Sequence, residues 1–154
     1  MQRPEIICIV GPTASGKSSL AIEIAKDLDG EIISADSMQV YRHMDIGTAK
    51  PSSEEQGQIR HHLIDVVDPD EDFSASDFRG LASAAIKDIR SRGKRVIVAG
   101  GTGLYIRALT KGLVDTPEGD PVLRRRLKEE ADRHGRRHLH DRLKELDPAA
   151  AKSI

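Results

Sequence analysis

The sequence predicts a three-layer α/β fold with a parallel sheet, followed by the start of a helical insertion. Three observations carry that expectation. The apolar run Ile6-Ile7-Cys8-Ile9-Val10 leads directly into Gly11-Pro12-Thr13-Ala14-Ser15-Gly16-Lys17-Ser18, a complete P-loop between a strand and a helix. Strand-like and helix-like segments then alternate, which implies right-handed crossovers and parallel pairing. Beyond Asp115 no further strand signal occurs, and two charged helical stretches take over. Together these describe a P-loop NTPase-like core over residues 1–114 and a helical, basic insertion begun in residues 115–154.

Taken in order, residues 5–10 read as a buried strand, with Cys8 in it as a small buried hydrophobe. The turn that follows is a nest of backbone N–H groups at the positive end of a helix, suited to a diphosphate or triphosphate. Gly11 and Gly16 allow backbone angles that a Cβ would obstruct. Lys17 can reach the terminal phosphates, and the Ser18 hydroxyl can ligate Mg²⁺. The helix covers residues 17–28, with Leu20, Ile24 and Leu28 as its inner face. Gly30 punctuates, residues 31–34 form a short second strand, and residues 36–53 read as irregular.

Residues 61–67, His-His-Leu-Ile-Asp-Val-Val, offer a further strand. Ser74-Ala75-Ser76-Asp77 has the capping-box pattern and opens a helix to about residue 92. Phe78, Leu81, Ala85 and Ile89 supply its inner face, and Gly93 ends it. Residues 95–99 are an apolar strand, after which Gly100-Gly101-Thr102-Gly103 opens a helix through residue 109. A loop, Thr116-Pro117-Glu118-Gly119-Asp120-Pro121, leads to helices over residues 122–134 and 137–146, with Pro148 ending the second.

Bulk properties narrow the class. The chain has 154 residues, 38% hydrophobic and 32% charged, enough for one domain with a proper core. Its formal net charge of −1 excludes a global basic field; positive charge is local, in Arg124-Arg125-Arg126 and between Arg133 and Arg142. One cysteine cannot staple a fold, which favours a reducing cytoplasm. The first apolar run is too short for a signal-peptide core or a membrane span. A monomeric, cytoplasmic protein without a membrane partner is expected. Aromatics at 3% argue against a base-stacking platform; Phe73 and Phe78 read as core, and Tyr41 and Tyr105 as packing residues. His134 and His138 stand four apart, but Gly135 interrupts them and no cysteine completes a zinc site.

In an open parallel sheet the carboxyl ends of the strands form the ligand crevice. Asp36, after the second strand, therefore falls near the P-loop as a general base or an outer Mg²⁺ ligand, unless it only caps a turn. Gly100-Gly101-Thr102-Gly103 reaches the same edge with N–H donors and a hydroxyl. Asp65, after Leu63-Ile64, is a weaker candidate for holding a metal-bound water.

Five segments in order now become recognisable: the P-loop; Ile33-Ser34-Ala35-Asp36-Ser37-Met38-Gln39-Val40-Tyr41-Arg42; Asp45-Ile46-Gly47-Thr48-Ala49-Lys50-Pro51; His61-His62-Leu63-Ile64-Asp65; and Val98-Ala99-Gly100-Gly101-Thr102-Gly103-Leu104-Tyr105. Their combination strongly resembles the tRNA dimethylallyltransferase family. The resemblance implies transfer of a dimethylallyl group from dimethylallyl diphosphate to N6 of adenosine 37, beside the anticodon in the tRNA anticodon stem-loop. It implies that Gly11, Pro12, Thr13, Ala14, Ser15, Gly16, Lys17 and Ser18 hold the diphosphate with Mg²⁺. Asp36 would be the catalytic base, and Thr13 would donate toward the reacting carbon and bridging oxygen. Asp36, Ser37, Met38 and Gln39 would line the base pocket, with Gln39 suited to an adenine edge. Thr102 matches a position that meets the tRNA, and Arg124 fits a backbone contact, unless it belongs to a merely solvated helix face.

Members of that family are longer. The resemblance therefore implies that residue 154 falls inside the tRNA-gripping insertion, with an arginine-bearing return to the core beyond it. Diphosphate binding is expected to survive in this stretch alone and tRNA modification to be weak or absent. Other functions remain in view: a P-loop small-molecule or nucleotide kinase, a prenyltransferase acting on free adenine nucleotides, or a non-catalytic nucleotide-gated module. A generic kinase requires neither Asp36-Ser37-Met38-Gln39 nor the Gly-Gly-Thr-Gly segment.

Overall fold

The computed structural model describes residues 6–112 and 120–153, the side chain of Arg136 excepted. The chain divides into two compact units, residues 1–113 and 114–154.

In the first unit four parallel strands, β1 (Ile7–Val10), β2 (Gly30–Ser34), β3 (His61–His62) and β4 (Arg95–Gly100), lie in the order β1-β4-β2-β3. Every residue of β2 is buried, as expected of a strand covered on both faces. Helix α1 (Lys17–Asp27) covers one face, where Ala21, Ile22 and Ala25 pack on Ile32 and Ile97. Helices α3 (Ala75–Ser91) and α4 (Gly103–Lys111) cover the other. There Phe78, Ala82, Ile86, Ile89 and Tyr105 pack on Ile33, Val96 and Val98, and the rings of Phe78 and Tyr105 stack at 4.3 Å. Three layers with a parallel sheet are thus present.

Several expectations need correction. The inner face of α1 is not Leu20, Ile24 and Leu28: Leu20 and Leu28 are exposed. Lys17 and Ser18 begin the helix in the phase that the preceding loop dictates, so residues four and eight further on, Ala21, Ile22 and Ala25, share their stripe. In α3 the buried residues are Phe78, Ala82, Ile86 and Ile89, while Leu81 is exposed; stacking on Tyr105 sets the rotation. Of the strand expected over residues 5–10, β1 covers Ile7–Val10, and residue 5 lies outside the described residues. In β1, Ile7 and Ile9 pack against the α1-side cluster, so Cys8 and Val10 point to the opposite face of the sheet, where they are exposed. Cys8 is therefore exposed rather than buried, although partial desolvation still raises its thiol pKa.

The strand expected over residues 61–67 stops at His62. Leu63 and Asp65 take positive φ of 63° and 56°, which no strand accommodates. The chain instead donates from Asp65, Val66 and Val67 N–H to the carbonyls of Gln39 and Val40. Helix α2 (Ser53–Gln58) occupies what the sequence suggested was irregular, started by a complete Ser52/Glu55 capping box. Ser74 and Asp77 form the expected box at α3, and Gly93 (φ +74°) follows it.

The second unit contains α5 (Pro121–His134), α6 (Arg136–Leu146) and α7 (Pro148–Ala151). Asp120 caps α5, with Pro121 at its first turn. Glu130 gathers Arg126 from its own helix and Arg142 from α6. Pro148 opens α7 rather than simply ending α6, with the Asp147 carboxylate accepting from Ala149 and Ala150 N–H. Most of the loop expected over residues 116–121 lies outside the described residues. No described helix is long and apolar enough to cross a membrane.

Candidate functional site

At the carboxyl ends of β1, β4 and β2 the chain leaves the sheet in three loops that are knitted together. Ala35 N–H donates to the Ala99 carbonyl at 2.8 Å, and Thr102 N–H donates back to the Ala35 carbonyl at 3.1 Å. Gly100 makes that crossing possible, because a Cβ there would lie 2.2 Å from Ala35 O. A Cβ on Gly101 would approach Gly11 O at 3.3 Å, so the Gly-rich loop also lies against the loop after β1. The Thr102 hydroxyl accepts from Ser37 N–H at 2.9 Å, holding the start of the 36–39 turn.

A cleft of about 300 Å³ opens beside these loops. Thr13, Ala14, Ser15, Gly16, Lys17 and Ser18 form one wall. The loop turns through positive φ at Ala14 (63°) and Gly16 (80°) into α1, and Lys17 Nζ donates to the Pro12 carbonyl at 2.9 Å. Gly16 thus serves the expected backbone role, whereas Gly11 is not among the positive-φ glycines. A Cβ on Gly11 would instead crowd Ser15 Oγ at 2.9 Å. Asp36, Met38 and Gln39 line the same cleft, and Ala21, Ile32, Ala99 and Pro51 add apolar surface.

Asp36 does two things at once. Its Oδ1 accepts from Met38 N–H at 2.9 Å and from Gln39 N–H at 3.4 Å, the turn-capping role open to it from sequence. Its Oδ2 has no hydrogen-bond partner among the described residues and remains available for chemistry.

Gln39 is buried, and its carboxamide is engaged within the protein. Oε1 accepts from Ser34 Oγ at 2.8 Å, while Nε2 donates to the carbonyls of Thr48 (3.2 Å) and Ala49 (2.8 Å). Bidentate reading of an adenine edge would require exchanging these bonds. In this geometry Gln39 ties the 44–50 segment to the sheet. Lys50 ties the same segment from behind: its buried ammonium bonds Tyr41 O, Asp45 and Asp65 at 2.6–2.8 Å. Asp65 is thus an ion-pair partner of Lys50 through Oδ1.

His61 stands in one of the recognised segments, where the sequence assigned it no role, and it lines the cleft. Its Nδ1 lies 2.8 Å from the Ile59 carbonyl, and a carbonyl can only accept, so Nδ1 carries the proton. Desolvation pulls its pKa below the usual histidine value, leaving a neutral ring whose Nε2 can accept. Only the side chain's place in the fold identifies it; nothing in the His-His pair distinguishes it from His62, which binds Glu31 at 2.7 Å.

The fold thus gathers Thr13, Ala14, Ser15, Gly16, Lys17 and Ser18 with Asp36, Met38 and Gln39, and sets Thr102 behind them through Ser37. Arg124 lies on α5 in the second unit, with an exposed side chain.

Comparison with known proteins follows the same outline. Residues 39–154 match the family described as IPP transferase. The chain is 59% identical over 151 residues to tRNA dimethylallyltransferase 1 of Pelobacter propionicus, covering 98% of this chain and 49% of that protein. It is 58% identical over 153 residues to tRNA dimethylallyltransferase of Geobacter metallireducens, covering 99% and 50%. Among solved structures, the full-length tRNA isopentenylpyrophosphate transferase of Bacillus halodurans is 45% identical. It aligns with a TM-score of 0.70 over 99% of this chain and 50% of its own. A eukaryotic dimethylallyltransferase acting on tRNA aligns with a TM-score of 0.81 at 34% identity, over 98% of this chain and 38% of its own. The chain spans about half the length of the curated relatives it matches.

Proposed function

The chain belongs to the IPP transferase family, and from that membership we propose that it carries the diphosphate- and base-binding cleft of a tRNA dimethylallyltransferase. The donor is dimethylallyl diphosphate, and the acceptor is N6 of adenosine 37 beside the anticodon. One observation supports this reading above the others: the Lys17 loop and Asp36 line a single cleft with apolar surface beside them. A P-loop alone reads phosphate oxygens and is indifferent to what they carry; the carboxylate and the apolar lining favour an allylic group attacked by an amine.

Loop N–H groups, the helix end and Lys17 stabilise negative charge as it develops on the departing diphosphate. The Thr13 hydroxyl donates toward the bridging oxygen. As the amine nitrogen bonds to the allylic C1, the C1–O bond breaks and pyrophosphate leaves. Asp36 Oδ2 takes the amine proton, a contribution of about 10²–10⁴-fold in rate. An adenine inside a stacked loop cannot reach this cleft, so the base must be extruded. Met38 offers it an apolar shelf, and Ser37, Gln39 and Thr102 hold the turn that receives it. Arg124 is assigned to the RNA backbone.

The residues fit Mg²⁺. No set of three or more His, Cys, Asp or Glu converges for a metal among the described residues. Ser18 lines the cleft, and it is the P-loop position whose hydroxyl would ligate Mg²⁺ beside the substrate phosphates. When bound, the ion supplies further neutralisation of the leaving diphosphate.

The test is a calorimetric comparison of dimethylallyl diphosphate and ATP, each with Mg²⁺. Preference for the prenyl diphosphate is expected. Preference for ATP, with turnover, would replace this reading with a kinase.

A further inference from the structure

Ile46 is 99% exposed, more than any other large apolar residue described. Single exposed apolar side chains are ordinary on protein surfaces, but this one sits on a segment built not to move. Thr48 Oγ1 donates to the Met44 carbonyl at 2.7 Å, closing the turn that carries it. Lys50, 6% exposed, pins Asp45 on one side of Ile46, and Gln39 Nε2 pins the Thr48 and Ala49 carbonyls on the other. Gly47 and Ala49 add positive φ of 78° and 49°, which fold the segment sharply. A slack loop would turn its isoleucine inward; this one is braced so that it cannot.

Its position gives the exposure a use. Gly47, Thr48 and Ala49 line the same cleft as the Lys17 loop. Ile46 directly precedes these lining residues in the chain and is itself exposed, which puts it beside the cleft that also holds Asp36. Extruding a base leaves a gap between its former neighbours, and proteins that unstack bases commonly insert an apolar side chain there. We propose that Ile46 is a wedge that enters the RNA stack where the target adenosine leaves it. The partner surface is thus the pair of base faces flanking the extruded nucleotide. This rests on the tRNA reading above and assigns to that site a specific unstacking residue. The aliphatic side chain needs no polar partner in such a gap, and the β-branched Ile has few rotamers to lose.

The test uses the protein at its full natural length with an anticodon stem-loop RNA. One RNA carries 2-aminopurine at the target position as a fluorescent report of unstacking, and a second carries adenosine for transfer. Ile46→Ala should blunt the fluorescence rise on binding and lower kcat/KM by about ten- to thirtyfold, as expected for removing a few buried methylene equivalents. Ile46→Met should retain most of both signals. Affinity for dimethylallyl diphosphate should not change. On a short single-stranded RNA, whose adenosine needs little unstacking, the Ile46→Ala defect should shrink. Equal fluorescence and equal transfer by parent and Ile46→Ala would overturn the wedge while leaving the tRNA reading intact. So would an undiminished defect on the single strand. Failure of the parent to bind the stem-loop would remove the tRNA reading and the wedge together.

Discussion

Asp36 holds its own turn with one oxygen and keeps the other unengaged, so a change at this residue must be chosen with care. Asparagine preserves the accepting oxygen and removes the base, whereas alanine would also release the turn. Gly100 is constrained by space alone: a methyl group there meets Ala35 O at 2.2 Å and Ala35 C at 2.4 Å. Gly100→Ala should cost about 1–3 kcal/mol as over-packing against backbone, visible as a lower urea midpoint, and should displace Asp36 in whatever folds. Glu31 is buried in β2 and gripped by Arg92 and His62; the Arg92 guanidinium is the main reason its pKa falls from 4.5 to about 2. A lowered folded pKa means stability that is complete above pH 4.5 and lost as pH falls toward 2. The full swing is roughly 3 kcal/mol. Urea titrations from pH 2 to 5 should show it, and Glu31→Gln should flatten the curve. At this scale the site was partly legible: Asp36 follows from its place after a strand. The saturation of Gln39 was not, because Ser34, Thr48 and Ala49 meet it only once the chain folds.

Helices and strands show where sequence periodicity sufficed. The Ser74/Asp77 box states its own geometry, two side chains satisfying two N–H groups three residues apart, and Ser74→Ala should lower stability by about 1 kcal/mol in thermal or urea unfolding. Ser52/Glu55 carries the same signature at α2 and could have been found; the short, polar Ser-Glu-Glu-Gln-Gly-Gln segment lacks the apolar stripe that draws attention. Hydrophobic periodicity alone misplaces the phase of α1, because Leu20, Ile24 and Leu28 make a better stripe than Ala21 and Ala25. The preceding loop, not hydrophobicity, decides which residues face the sheet. Residues 63–67 looked like strand because Leu63, Ile64, Val66 and Val67 are apolar. Left-handed backbone at Leu63 and Asp65 accompanies bonds to residues 39, 40 and 42, which no local pattern announces.

Across the whole molecule, a parallel sheet flanked by helices brings three loop regions distant in sequence to one edge. The Gly-rich loop near residue 100 acts as the fastener between the other two. The strand–loop–helix order made this arrangement legible, since parallel strands must deliver their following loops to the same end. Two compact units and a length about half that of the curated relatives make the complete reaction a property to measure at full natural length. The most direct measurement is single-turnover prenyl transfer by Asp36→Asn alongside its affinity for dimethylallyl diphosphate. The rate should fall by about 10²–10⁴-fold while the affinity stays within experimental error of the parent. An unchanged rate would contradict Asp36 as the base and with it the chemistry assigned to the cleft.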